Sequence, residues 1–263
     1  MWTMTHLNTV VRRGLFGFVL ATVALGVGGV ASASPPDTLW IEDIALHPAG
    51  PAELGFGYDG HLASDAADVD LVAVRTSSGF DRAPLELSPS IGLVQRGAGP
   101  AQIEHLGLRL RYRLAGTPGV PRAVAFVGYR LLPVGERAHR LEQGAAMRWK
   151  SDTMTLAAEL SAREVVGGDD TQVELRAGVA FSYGMVIDLI RFGVESFVLV
   201  PVTGARISDS ALGDDPEGVA WYSGPSMRIN FEDYVWLAGG VGFGGLVGDG
   251  APALVRFNVG TEF

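Results

Sequence analysis

A period-two alternation of apolar with charged or small residues, sustained through run after run, restricts this chain more than any other feature. Successive side chains of a β-strand point to opposite faces of its sheet, so period two is the strand period and not the helix period. Leu106, Leu108, Leu110, Tyr112 and Leu114 fall on one face, and Gly107, Arg109, Arg111 and Arg113 on the other. Three arginines on one face of one strand cannot lie in a dry core. The same split recurs where Leu141, Ala145, Met147 and Trp149 oppose Arg140, Glu142, Gly144 and Arg148. Leu156 and Leu160 oppose Ala157, Glu159 and Ser161, while Val173, Leu175, Val179 and Phe181 oppose Glu174, Arg176, Gly178 and Ala180. Further on, Ile190, Phe192 and Val194 oppose Arg191, Gly193 and Glu195.

Turn signals divide the pattern into twelve segments, near 51–59, 68–78, 83–95, 102–114, 122–132, 138–150, 153–164, 172–183, 186–200, 218–230, 233–246 and 252–263. Strands of soluble proteins are usually ~5–6 residues long, whereas a tilted strand crossing a bilayer needs about 9–11. The connections also alternate in kind. One set is short (79–82, 115–121, 151–152, 184–185, 231–232), and the other is longer or richer in Gly, Asp and Pro (60–67, 96–101, 133–137, 165–171, 201–217, 247–251). Short turns on one rim and long loops on the other are the asymmetry of a membrane β-barrel. The expected fold is therefore all-β, a transmembrane antiparallel barrel of about twelve strands, with ten to fourteen admitted by the boundaries. With both barrel ends in the periplasm, the loop 201–217, carrying Asp209, Asp214, Asp215 and Glu217, lies outside the cell.

In lipid every backbone donor and acceptor must be paired within the protein, which forces the sheet to close and turns its charged face inward. By parity that face carries Arg109, Arg111, Arg113, Arg140, Arg148, Arg163, Arg176, Arg191, Arg228 and Arg256 against Glu53, Glu86, Glu142, Glu159, Glu174, Glu195 and Glu262. This slightly basic lining suits either a water-filled, anion-tolerant path or a cross-lumen ladder of Arg–Glu pairs. Arg111 has Glu142 or Glu86 as candidate partners. Three places fit less well. Pro89 and Pro225 fall within strands, where proline removes a ladder hydrogen bond, and a bulge near Ser223-Gly224-Pro225 would accommodate the second. The register of 68–78 reads two ways. Leu39 to Leu46 can be an extra strand, a periplasmic lead-in or a segment entering the lumen.

Composition removes several function classes. The chain has 263 residues, a net charge of -9 and no cysteine, so a disulfide framework, a thiolate nucleophile and a phosphate-backbone-binding surface are all excluded. Residues 1–33 read as a secretory signal peptide: Arg12 and Arg13 precede an apolar run from Gly14 to Val30, which ends at Ala31-Ser32-Ala33. Residues 34–50 then form a lead-in, and 51–263 the barrel.

The terminal aromatic Phe263, preceded at alternate positions by Phe257 and Val255 with Val259 between, together with the signal peptide, resembles the Gram-negative outer-membrane β-barrel proteins. Thr261 departs mildly from their apolar pattern. The resemblance implies export by the Sec route, an outer-membrane address, and Val255, Phe257, Val259 and Phe263 as the signal presented to the barrel-assembly machinery. It implies no substrate and no catalytic residue. The expected partners are outer-membrane lipid, that machinery and small solutes, without nucleic acid, metal or cofactor.

Motifs of other classes read as barrel features. Gly240-Val241-Gly242-Phe243-Gly244-Gly245 matches G-x-G-x-x-G, but its flanks keep a strand period where a nucleotide loop must open a helix. His47, His61, His105 and His139 show no metal spacing, and Asp169-Asp170 and Asp214-Asp215 read as solvated loop tips. The expected role is passive passage of small solutes, without enzymatic activity. The alternatives are a structural or adhesive surface barrel acting through its loops, and a lipid hydrolase or acyltransferase using histidines near the outer loops. Deleting Phe263 is expected to leave unassembled protein in the periplasm, checked by fractionation and by loss of the heat-modifiable band; normal assembly would refute the terminal signal.

Overall fold

The computed structural model describes residues 52–62, 69–80, 83–96, 100–117, 120–132, 138–166, 172–186, 189–203, 219–231, 235–246 and 253–262. The signal peptide 1–33, the lead-in 34–50 with Leu39–Leu46, the acidic pairs of the long loops and Phe263 lie outside these residues. The described residues form β1 (Ala52–Leu62), β2 (Val69–Phe80), β3 (Ala83–Arg96), β4 (Gln102–Thr117), β5 (Val120–Leu132) and β6 (Ala138–Lys150). They continue with β7 (Met154–Val166), β8 (Gln172–Val186), β9 (Ile190–Thr203), β10 (Ala220–Phe231), β11 (Val235–Leu246) and β12 (Ala253–Glu262). Each strand pairs antiparallel with its chain neighbours, and β12 returns to β1 from Glu53↔Glu262 to Leu62↔Ala253, closing the barrel. Closure leaves no strand edge with unpaired amides, which lipid would not tolerate.

The burial pattern is that of a soluble protein turned inside out. Leu108, Met147 and Leu160 are 47%, 62% and 62% exposed, whereas Arg111 and Glu159 are 5% and 6% exposed. An apolar surface of this extent is stable only against lipid. Outward aromatics gather toward both rims: Tyr112, Trp149, Tyr183 and Phe231 toward the short turns, Tyr129, Trp221 and Phe243 toward the long loops. These are the two interfacial girdles of a barrel that crosses a bilayer.

Three expectations are corrected or settled by the register. No residue is inserted at Ser223-Gly224-Pro225. The ladder to β9 runs on through Pro225↔Val194, and that to β11 passes from Ser223↔Phe243 to Ser226↔Gly240 at the same offset. The missing proline donor thus coincides with a gap in pairing and not a bulge. Pro89 does the same: Pro89↔Leu108 holds toward β4, and the gap lies toward β2 between Ser78↔Leu87 and Arg75↔Ser90. The turn expected at 184–185 is strand, because Gly184 N donates to Thr153 O at 2.7 Å and β8 continues to Val186. The two-way reading of 68–78 resolves with Gly55↔Arg75↔Ser90, which places Arg75 on the inward face.

At Gly260 the Trp236 ring occupies the space of a side chain: an added Cβ would lie 2.4 Å from Trp236 Cζ2. Trp236 is 2% exposed and has no room to withdraw. Gly260→Ala is expected to lower barrel stability by about 1–3 kcal/mol through overpacking. Gly184→Ala, whose Cβ would meet nothing closer than 3.7 Å, is expected to leave it nearly unchanged, as read from urea midpoints of folded barrel.

Candidate functional site

The interior is built from cross-strand rows whose members share a face. Glu86 stands opposite Arg111, Glu142 opposite Arg163, and Arg163 opposite Glu174. Arg111 Nη2 donates to Glu86 Oε1, an oxygen that also accepts from Ser88 Oγ at 3.0 Å. Arg163 reaches Glu142 Oε1 at 3.4 Å through Nε and Glu174 Oε1 at 3.6 Å through Nη1. Arg109 and Glu142 are two strands apart, with Gly128 between them in the same row. An added Cβ at Gly128 would lie 3.5 Å from Arg109 Nε and 3.7 Å from Glu142 Cβ. Over that glycine Arg109 Nη2 crosses β5 and donates to Glu142 Oε2. Arg176 Nε meets Glu159 Oε1 diagonally at 3.7 Å.

The result is a buried charge ladder spanning β3 to β8. Two of its arginines rest on aromatic rings, with the Arg109 guanidinium 5.1 Å from the Phe126 centroid and that of Arg176 4.7 Å from Phe197. Beyond Phe197 the lining turns apolar: Phe197, Leu199, Ala220, Tyr222, Trp236 and Ala238 form one buried cluster, with Phe197 and Tyr222 stacked at 5.3 Å.

Other charged residues expected on this face hold separate positions. Arg140, Arg148, Arg191, Glu195 and Arg228 are buried. Arg191 Nη1 donates to Thr155 Oγ1 at 2.9 Å and reaches Ser182 Oγ at 3.5 Å. Arg113 and Arg256 are half-buried. Glu53 and Glu262 are register partners where the barrel closes. Of the terminal strand, Phe257 is exposed, while Val255 and Val259 share its outward parity and are half-buried. His139 is exposed on the outward face, and its Nδ1 meets Tyr129 Oη at 2.5 Å.

Two inward arginines escape a reading of the sequence. Arg130 follows Val124, Phe126 and Gly128 on one face of β5, so that strand is apolar on both sides and hydrophobicity does not orient it. Arg75 lies in the segment of ambiguous register. The inward aromatics Phe197 and Tyr222 share the parity of Glu195 and Arg228, so parity places them inward, but only the register brings them together.

Solvent access divides the lining. Glu86, Glu142, Glu159, Glu174 and Glu195 are 0%, 6%, 6%, 0% and 3% exposed. Arg75 is exposed, and Arg109, Arg113, Arg130 and Arg256 are half-buried. Glu104 is the described inward carboxylate that departs from this rule. It sits in the β4 bulge between Ile103 and His105, with its carboxylate 2.5 Å from His105 Nδ1. Among the described inward charges, those with the most solvent access are therefore mostly guanidinium groups. Among the described residues, no three His, Asp or Glu side chains converge on a metal site.

Neither a protein-family model nor a curated protein sequence matches the chain. Solved structures do. An outer membrane channel from Pseudomonas putida F1 is 14% identical with a TM-score of 0.59, covering 88% of this chain and 100% of its own. The NanC porin is 8% identical with a TM-score of 0.55, covering 79% of this chain and 98% of its own. At these identities the likeness is one of fold. Together with the closed register it defines the class: a twelve-stranded antiparallel transmembrane β-barrel.

Arg111→Gln removes the cationic member of a buried pair with Glu86. It is expected to lower stability by about 3–5 kcal/mol. Arg113→Gln, at a half-buried position, is expected to cost well under half of that. Equilibrium unfolding of the two variants side by side checks the difference; equal losses would mean that the ladder does not hold the barrel.

Proposed function

We propose that this protein is an outer-membrane channel through which small solutes pass passively, with a preference for anions. The observation that carries the reading is the unequal burial of inward charge. The carboxylates lie at the bottom of ion pairs, whereas Arg75, Arg109, Arg113, Arg130 and Arg256 keep solvent access along β2, β4, β5 and β12. Fixed cations in a narrow passage with low-dielectric walls focus their field on the water between them, raising the local concentration of anions. The ladder and the apolar cluster are buried, so in this reading the path follows the arginine wall. The names printed for the two structures of similar fold, a porin and an outer membrane channel, agree with this reading.

The charge ladder itself favours a second reading, a structural barrel whose interior is sealed by ion pairs and which acts through its loops. Conductance separates the two. Refolded protein in a planar bilayer under a potassium chloride gradient is expected to conduct, with a reversal potential on the chloride side. Arg113→Glu combined with Arg256→Glu is expected to move that potential toward potassium. A cation-selective wild type would refute the arginine path, and a barrel that is folded but silent would leave the structural reading standing.

A further inference from the structure

The β4 bulge brings together three side chains that the charge ladder does not use. Gly92 stands opposite His105 and Leu93 opposite Ile103, so Glu104 is an extra residue in β4. Neighbouring side chains of a regular strand point to opposite faces, whereas a bulge re-aims one of them. Here it sets Glu104 beside the inward His105, with Oε2 2.5 Å from Nδ1. An Nδ1–H held by a carboxylate leaves Nε2 as the basic nitrogen of the ring. The ring lies across β3: a Cβ at Gly92 would be 2.3 Å from Cε1 and 2.4 Å from Nδ1, so a glycine is needed beneath it. Its other edge faces the next inward pair, Ser90 opposite Gly107. A Cβ at Gly107 would lie 2.4 Å from Ser90 Oγ and 3.5 Å from His105 Cδ2, so hydroxyl and ring border one gap. Nε2 is bonded to both Cε1 and Cδ2 and therefore sits between Gly92 and the Ser90–Gly107 pair. His105 is buried and Ser90 half-buried, three residues in from the long-loop end of β4 for the histidine.

We propose that Ser90, His105 and Glu104 form a nucleophile, a general base and its positioning carboxylate, and that they hydrolyse a small carboxylic ester inside the barrel. This departs from the expectation of a barrel without catalysis, and it rests on the preceding reading in one respect, that solutes enter along this wall. A nucleophile, a base at its side and a third group orienting the base are the signature of acyl transfer. Hydroxyl and ring share the gap without a hydrogen bond between them; a χ1 rotation of Ser90 moves Oγ along it, and catalytic hydrogen bonds commonly close only when substrate binds. In the first step Ser90 Oγ bonds to the carbonyl carbon while its proton passes to His105 Nε2. That proton then goes to the departing alkoxide, which leaves as the alcohol, with the acyl group on Ser90. Water repeats the step: its oxygen bonds to the acyl carbon, its proton passes to Nε2, and Ser90 leaves with the proton restored. One ester and one water give one acid and one alcohol, with no change in oxidation state. Arg130, whose Cγ lies 3.5 Å from the same Gly107 point, supplies positive charge beside the carbonyl oxygen where negative charge develops.

Two probes test the site on refolded barrel in detergent: p-nitrophenyl butyrate as the ester, and a fluorophosphonate that bonds covalently to activated serines. Saturable hydrolysis is expected, with a fluorophosphonate adduct mapped to Ser90 by peptide mass spectrometry. Ser90→Ala is expected to abolish both. His105→Gln is expected to lower kcat by about a hundredfold, the ordinary share of a general base. Glu104→Gln is expected to lower kcat by about tenfold with KM unchanged, a split that loss of structure alone does not produce. Heat-modifiable migration identifies the variants that have folded; should the buried His105 not tolerate replacement, the half-buried Ser90 keeps the test decisive. Absence of hydrolysis and of an adduct on Ser90 in the wild type, or a folded Ser90→Ala that hydrolyses as the wild type does, would overturn the site. Conductance is read separately. A conducting barrel without hydrolysis sinks the site and leaves the channel, whereas Ser90-dependent hydrolysis by a barrel that does not conduct sinks the channel and leaves the site.

Discussion

The pairing of every backbone amide and carbonyl within the sheet is the constraint on which the rest of this structure depends. A hydrocarbon phase offers no substitute partner, and each unsatisfied group there costs several kcal/mol. The ladder from Leu62↔Ala253 to Glu53↔Glu262 is what makes the sheet endless. Two prolines inside strands are tolerated because each keeps its register to both neighbours and places its missing donor at a gap in one ladder. Once the sheet is closed, each strand has a face toward lipid and a face toward the interior, and charge has only one of them to occupy.

The interior then has to reconcile arginines with somewhat fewer carboxylates inside a closed barrel. It does so unevenly. From β3 to β8 the glutamates are drawn into a ladder, in which Arg109 passes over β5 above Gly128 to Glu142. From β9 to β11 the same face is packed with Phe197, Leu199, Tyr222 and Trp236. Among the described residues, the inward charges that keep solvent access are Arg75, Arg109, Arg113, Arg130 and Arg256. A solute responds to the charge it can reach, and burial withdraws Glu86, Glu142, Glu159, Glu174 and Glu195 from its reach. A chain of net charge -9 can therefore present a cationic interior, because its acidic residues are concentrated in the connections and at the bottom of ion pairs.

Much of this was legible in the sequence because the strand period is a local property. Where one face is uniformly apolar and the other charged, as in Leu106 to Leu114, parity alone assigns each side chain, and lipid enforces the assignment. The twelve segments, the alternation of short and long connections and the inward set around Arg109, Arg111 and Glu142 all follow from that. The reading failed where the period lost contrast. Arg130 was hidden on a strand with Val124 and Phe126 on its own face, and Gly184 was read as a turn although it extends β8.

By itself, the sequence determined the class of fold and which face of most strands meets lipid, since each is a consequence of spacing along one strand. Only the tertiary structure decided which charges meet. Glu86 takes Arg111, Glu142 is shared by Arg109 and Arg163, and Arg75 joins Ser90, Gly107, Arg130 and Arg140 in one row. Those partners come from strands distant in the chain, and they are set by the offset between neighbouring strands. A shift of that offset by two residues would preserve every apolar and charged face yet exchange every partner, so no hydrophobic pattern could have specified it.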